Sequence, residues 1–454
     1  MSDVKHPFFK KFTQGYTFKV LMLLVLVLLL LIPLNMIRGL VYERGRTAAS
    51  AESDIMEAWG KQLIAAGPVI VIPGTRTEEH RTITEKEGEK TEIVRSPFTL
   101  VISPKELNID GVFKTEVRKR GIFSVPLFYG TLRLSGSFDP AMALLELLPN
   151  ESVSLNQAEL VIALSSQKGI RKINTSNWDE EELFFRPGNR GHGLFKRGSD
   201  SSGSGIYAAL PDFENKEAVF NIGIEIQGGQ FIRFLPMGQD TRVTISSDWP
   251  SPSFQGAFLP GESSVSSTEF QAIWNISYLS RDIPLFLKKT PDANSDYGNS
   301  LFGVDFFRNI DTYALNTRAV KYAILFLIVP FLTLFLLEIF TQRKIHPVPY
   351  LLSGIGNAVF YLLLLSLSEQ LPFHTAYLAA AAAVTVMLSL YSRSLLPSWN
   401  KSWYMGLVVT ISYILLYAVL NAESYALLIG SVGTFAIIAL VMFLTRRLNW
   451  YGEG

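Results

Sequence analysis

Apolar positions crowd into six blocks, and between the first two blocks the pattern changes to alternation. The first block is VLMLLVLVLLLLIPLNMI, residues 20–37. None follows until residue 319. Then five come in succession, at 320–340, 350–367, 371–391, 403–420 and 424–444. Each is near the ~20 residues that a spanning helix needs. The long interval is written with a different period. TLRLSGSF (131–138) puts Leu132, Leu134 and Phe138 on one face. VFNIGIEI (219–226) and TRVTIS (241–246) alternate similarly, and FTLVIS (98–103) and AELVIAL (158–164) are short apolar runs. Period two, broken by turn-formers, predicts strands.

These patterns predict a membrane protein of the α+β class. It has a cytoplasmic tail (1–19), a transmembrane signal anchor (20–38) and a large β-rich, sandwich-like or barrel-like domain (39–318). A block of five transmembrane helices (319–445) and a second tail (446–454) complete it. The first block is longer than a cleavable signal core, and the A-x-A at Ala49 and Ala51 lies far beyond it, so it reads as an uncleaved anchor. Leu40, Ile55, Met56, Trp59, Leu63 and Ile64 space a helix that continues out of the membrane. It is expected to stop where Gly67 and Pro68 break it. TRTEEHRTITEKEGEK (75–90) reads as a charged hairpin tip, and FRPGNRGHGLFKRGSDSSGSG (185–205) as a surface loop.

Charge sets the orientation. The chain carries 41 Lys and Arg against 40 Asp and Glu, a balance that gives no reason to expect a nucleic-acid partner. Its distribution is uneven. Lys5, Lys10, Lys11 and Lys19 precede the first span. Arg343 and Lys344, then Arg393 and Lys401, then Arg446 and Arg447 mark alternate gaps, whereas the gaps at Glu369 and Glu423 have no basic residue. The positive-inside rule then places both termini in the cytoplasm and residues 39–318 in the periplasm of a Gram-negative inner membrane. Arg38, Arg44 and Arg46 argue mildly the other way. Trp399, Trp403, Trp450 and Tyr451 stand at the expected interfaces.

The chemistry on offer is sparse. There is no cysteine, which excludes disulfides, thiolate catalysis and Cys-ligated metals. No Walker A loop, dinucleotide fingerprint, HExxH or GxSxG occurs. His6, His80, His192, His346 and His374 fall at no metal-ligand spacing. The sequence therefore predicts no enzyme, no cofactor and no metal. Six residues remain as candidates. Glu338 is the one acid firmly inside an apolar run, a functional position by default, or else a group that reaches water beside Gln342 or Arg343. Glu369 and His374 are either a proton-handling pair or the polar tip of a hairpin, with Glu369 favourable near the start of the next helix. Trp249, Phe254 and Phe258, in SSDWPSPSFQGAFLP (246–260), are either a recognition surface or a plug at the end of the β core. Fainter signals are His192 among basic residues, the acidic WDEEE (178–182), and Ser353 with His346 as nucleophile and base. Ala379–Ala383, Gly354, Gly356, Gly430 and Gly433 suit close helix packing.

Several of these blocks, in this order, resemble the CreD family of bacterial inner-membrane, cell envelope integrity proteins. The resemblance is carried by LLLLIPLNMIRGLVYER (28–44), GPVIVIP (67–73), DWPSPSFQGAFLP (248–260), HPVPYLLSG (346–354), FYLLLLSLSE (360–369) and TRRLNWY (445–451). It implies an anchor, a periplasmic domain and a membrane block tied to envelope stress, and no catalytic residues. In the family pattern a histidine often follows the acid at Glu369; Gln370 stands here, which weakens a Glu–His pair. The expected partners are the lipid bilayer and an envelope protein, lipid or glycan. Transport or flipping of an envelope component, and catalysis on lipid or peptidoglycan, are the alternatives.

Overall fold

The computed structural model describes residues 16–84, 88–121, 123–188, 204–211, 213, 216–290, 297–306, 312–395, 399–422 and 425–446. The chain divides into two compact units, Met1–Ala49 with Ile310–Gly454, and Ser50–Asn309.

The first unit is helical. Helix α1 (Tyr16–Trp59) begins in it, and α2 (Thr312–Thr341), α3 (Pro347–Ser368), α4 (Phe373–Leu395), α5 (Trp399–Asn421) and α6 (Ala426–Thr445) complete it. Five of these helices are long and apolar enough to cross a membrane, and α6 is apolar over Leu428–Ala439. Helices α2 to α5 close a ring of contacts, α2 on α3, α3 on α4, α4 on α5 and α5 on α2, with α6 on α5. Leu30 and Leu34 of α1 join the same core as Phe326, Phe331 and Leu364. Ile32, Met36, Leu378, Leu390 and Phe435 stay exposed, as lipid-facing side chains do. Small residues act where expected. Ala380 is fully buried, and a Cβ on Gly354 would lie 2.2 Å from Leu30 Cδ1 and 2.7 Å from the Phe331 ring. Only glycine lets three helices meet there. Gly430 has nothing within 4 Å.

The second unit is built of strands. In chain order they are β1 (Leu63–Thr84), β2 (Gly88–Ile102), β3 (Glu106–Arg120), β4 (Phe123–Phe138), β5 (Glu151–Val153) and β6 (Glu159–Leu164). Then come β7 (Ile170–Trp178), β8 (Glu181–Glu182), β9 (Arg186–Pro187), β10 (Gly205–Ala209), β11 (Ala218–Gly229) and β12 (Phe231–Leu235). Last are β13 (Asp240–Ser247), β14 (Pro252–Gly256), β15 (Glu262–Val265), β16 (Phe270–Ser277), β17 (Phe286–Lys289) and β18 (Phe302–Phe306). One sheet runs β14-β18-β12-β1-β6-β10-β9, with β2, β5 and β17 attached through β1 and β2. The other runs β15-β16-β13-β3-β4-β11-β7-β8. Both contribute to one core, with Ile70, Leu100 and Ile232 from the first and Leu132, Ile222 and Val243 from the second. This is the sandwich that the alternation predicts. The charged segment is the β1–β2 hairpin, paired out to Thr84 and Gly88.

One boundary differs from expectation. Helix α1 stops at Trp59, not at Gly67 and Pro68. Gly60 and Lys61 adopt φ of 140° and 62°, and both N–H groups donate to the Met56 carbonyl, at 3.0 and 2.7 Å. That is a left-handed helix cap, for which Gly60 is the suitable residue. Gly67 and Pro68 instead sit inside β1, where its register with β6 shifts between Ala66 and Val69. A bulge tolerates a residue with no N–H to give.

Candidate functional site

Proline inside a span leaves a carbonyl without its donor, and hydrocarbon offers no water to replace it. Pro330 of α2 does this to Phe326, four residues earlier. Asn357 of α3 answers, with Nδ2 donating to the Phe326 carbonyl at 2.9 Å. Its Oδ1 accepts the Tyr413 hydroxyl of α5 at 2.6 Å. The Tyr413 carbonyl accepts the Tyr377 hydroxyl of α4 at 2.6 Å. The Phe360 ring lies 4.4 Å from Tyr413 and 5.4 Å from Tyr377, centroid to centroid. Four helices thus share one buried polar network. The buried Ser353 Oγ and Tyr361 hydroxyl have no hydrogen-bond partner among the described residues.

Glu338 differs from expectation. It is buried and does not rely on water, Gln342 or Arg343. Lys19 of α1 is paired with its Oε1, and the Tyr350 hydroxyl of α3 donates to Oε2 at 2.8 Å. The start of α1 packs beside the end of α2, so a cation 319 residues away supplies the partner. Nothing local in the sequence announces it.

Glu369 and His374 are not brought together as a hydrogen-bonded pair. Glu369 is the residue that ends α3. It accepts from the Tyr313 hydroxyl at 3.3 Å and lies 3.7 Å from Arg44 Nε. His374, in the first turn of α4, has Nδ1 2.7 Å from the Tyr417 hydroxyl of α5. Each binds its helix end to a different neighbour. His346 caps α3 by accepting the Val348 N–H at 3.4 Å, and no hydrogen bond joins it to Ser353.

In the Ser50–Asn309 unit the three aromatic candidates pack against the core. Phe254 meets the Phe270 and Trp274 rings edge-on at 6.0 and 5.8 Å. Phe258 meets Phe302 at 5.9 Å, and Trp249 meets Phe306 at 6.5 Å. Trp249 Nε1 donates to the Ser251 carbonyl at 2.9 Å. This is the geometry of a plug. In the acidic run, Trp178 is buried and Asp179 accepts the Val219 N–H at 2.7 Å.

Two charged centres escaped sequence reasoning. The side chain of Glu151 is fully buried between Arg76 and Lys288, each 2.7 Å away, and accepts the Leu148 N–H at 3.0 Å. Burial alone would raise its pKa, but the Leu148 N–H, Lys288 and Arg76 outweigh that and hold the carboxyl at about 2. Arg281 is buried too, and its guanidinium donates to the carbonyls of Ile283, Met237 and Gly238 at 2.7–2.9 Å. Burial lowers it to about 10. Each partner comes from a distant strand or turn, so spacing gave no signal.

His6, His192 and most of the 185–205 loop lie outside the described residues, as do Lys5, Lys10, Lys11, Glu423, Arg447, Trp450 and Tyr451.

A family model described as "Inner membrane protein CreD" matches residues 15–451. The chain is 30% identical over 450 residues to the protein named Inner membrane protein CreD in Escherichia coli (strain K12). The match covers 99% of this chain and 95% of that protein.

Proposed function

Because the chain belongs to the CreD family of inner membrane proteins, we propose that it supports envelope integrity or the envelope stress response by binding an envelope component through residues 50–309. It acts by recognition, not turnover. One observation carries this reading. A β unit with its own complete core is inserted between α1 and α2, while the buried charge of the helical unit is spent on holding helices together. Such a block anchors; the inserted unit is what remains to meet a partner.

The β unit lies in the periplasm and both termini in the cytoplasm. The contact of Lys19 with Glu338 puts the start of α1 beside the end of α2, where Arg343 and Lys344 also stand. That clustering of cations supports the orientation. The absence of native cysteine makes it directly testable. A membrane-impermeant maleimide will label Leu279→Cys, at a position 80% exposed, on intact spheroplasts. It will label Gln342→Cys only after permeabilisation. The opposite pattern inverts the topology.

Binding is tested by photo-cross-linking in living cells from Leu259, 73% exposed beside the aromatic plug, and from Leu279. Recurrent adducts of an envelope protein, lipid or glycan are expected, read by mass spectrometry. Adducts with cytoplasmic proteins alone, or none above background, would remove the reading.

A further inference from the structure

The eight-stranded sheet of the Ser50–Asn309 unit turns one face to the core and the other outward. The last turn of α1 covers one end of the outward face. There Arg118 lies 3.9 Å over the Trp59 ring, and Met56 sits beside Leu127 and Gly229. Beyond that cover the face carries polar side chains, some exposed and some half-buried among the described residues. Across it runs a single register row, Asn275, Arg242, Asn108, Ser135, Asn221 and Asn177, one residue from each of six strands. Asn275, Arg242, Asn221 and Asn177 are exposed, and Asn108 and Ser135 half-buried. No side chain of the row has a hydrogen bond or ion pair among the described residues.

A solvated face does not need this composition. Asparagine is among the residues that strands disfavour, yet four stand in one row of an eight-stranded sheet. They give nothing back in internal hydrogen bonds. The flanking charges are balanced, with Asp110 opposite Arg133 and Glu225 opposite Lys172. Tyr129, on the same face with Arg171 5.9 Å away, offers a ring for stacking.

At about 4.8 Å per strand, six strands carry amide and hydroxyl groups along about 24 Å. Free amide donors and acceptors in a line suit a ligand that carries both. An anionic polymer would need a positive face, and a protein partner an apolar centre. We propose that this row binds a neutral amino-sugar glycan strand, through its hydroxyl and acetamido groups, laid across the strands. The proposal rests on the reading that residues 50–309 bind an envelope component, and names that component's class.

The probe is the β-1,4-linked N-acetylglucosamine hexamer, titrated against the full chain in detergent micelles by isothermal calorimetry and saturation-transfer NMR. The native chain will bind it. The double variant Asn108→Ala/Asn221→Ala removes only exposed or half-exposed amides and will weaken binding about tenfold or more with its melting unchanged. No binding by the native chain at millimolar hexamer overturns the proposal. So does equal binding by native chain and folded double variant, or capture of a protein alone by a photoprobe at Asn221. If Leu259 and Leu279 still capture an envelope component while the hexamer does not bind, only the glycan assignment falls. If they capture nothing either, the functional reading falls with it.

Discussion

Replacing Asn357 with leucine will destabilise the helical unit by about 2–3 kcal/mol, and replacing Pro330 with alanine as well will return part of that loss. The leucine variant strands two buried groups at once, the Phe326 carbonyl and the Tyr413 hydroxyl. Measured hydrogen bonds in bilayers average about 0.6 kcal/mol with a maximum near 1.7, and an orphaned buried group costs about 1–3 kcal/mol. Two such losses give the expected sum. Alanine at position 330 restores the backbone donor that proline lacks, so Phe326 regains an intrahelical partner whether or not Asn357 is present. The double variant therefore recovers about 1 kcal/mol relative to the additive expectation. Tyr413→Phe placed on top of Asn357→Leu will change little, since its partner is already gone. Unfolding in mixed detergent, followed by circular dichroism, measures the native chain, the Asn357→Leu and Pro330→Ala single variants, their double variant and Asn357→Leu/Tyr413→Phe. Strict additivity of the Pro330 and Asn357 variants would show that the proline and the amide are unconnected.

That coupling marks where the sequence was legible. Hydropathy found the spans because bilayer thickness imposes a length on every one of them. Period two found the sandwich because its core takes alternate residues, and Phe220, Ile222, Ile224 and Ile226 are all buried. Trp249, Phe254 and Phe258 could be read as a plug because prolines and aromatics at the end of a β core have few other uses. The partners of Glu338, Glu369 and His374 were not legible. Lys19, Arg44 and Tyr417 lie in other helices, and no spacing rule links residues that only tertiary packing joins. The end of α1 was misplaced because two strong breakers, Gly67 and Pro68, outweighed a lone glycine at position 60. The bulge in β1 that accommodates them shows only in its pairing with β6, far along the chain. The register row on the outward sheet face was invisible for the same reason: its six residues are dispersed from Asn108 to Asn275.

Acid will unfold the β unit through Glu151, and Glu151→Gln will remove most of that sensitivity while lowering stability at neutral pH. This carboxylate joins β5 to Arg76, its register partner on β1, and to Lys288 on β17, which pairs with β2 rather than with β5. Held at about 2 in the fold, it titrates about 4.3 when exposed in the unfolded chain. The folded carboxyl is the stronger acid, so protons favour the unfolded state. The contribution is complete above about pH 5 and disappears as pH falls through 4 toward 2, where both states are protonated. The gap between the two pKa values is worth about 3 kcal/mol. Glutamine keeps the shape and accepts from the Leu148 N–H, but it leaves Arg76 and Lys288 facing a neutral group. Breaking a buried pair in this way costs about 3–5 kcal/mol. Both cations are partly exposed, so water compensates some of it and the lower end is expected. Hydrogen exchange of the full chain, read by mass spectrometry on peptides covering 74–76, 151–153 and 286–289, will show faster opening in Glu151→Gln at pH 7. In the native chain the same peptides will open progressively as pH falls from 5. Equal protection of the native chain at pH 7 and pH 3 would mean that the ion pairs do not hold this corner of the sheet, and that the backbone ladder alone does.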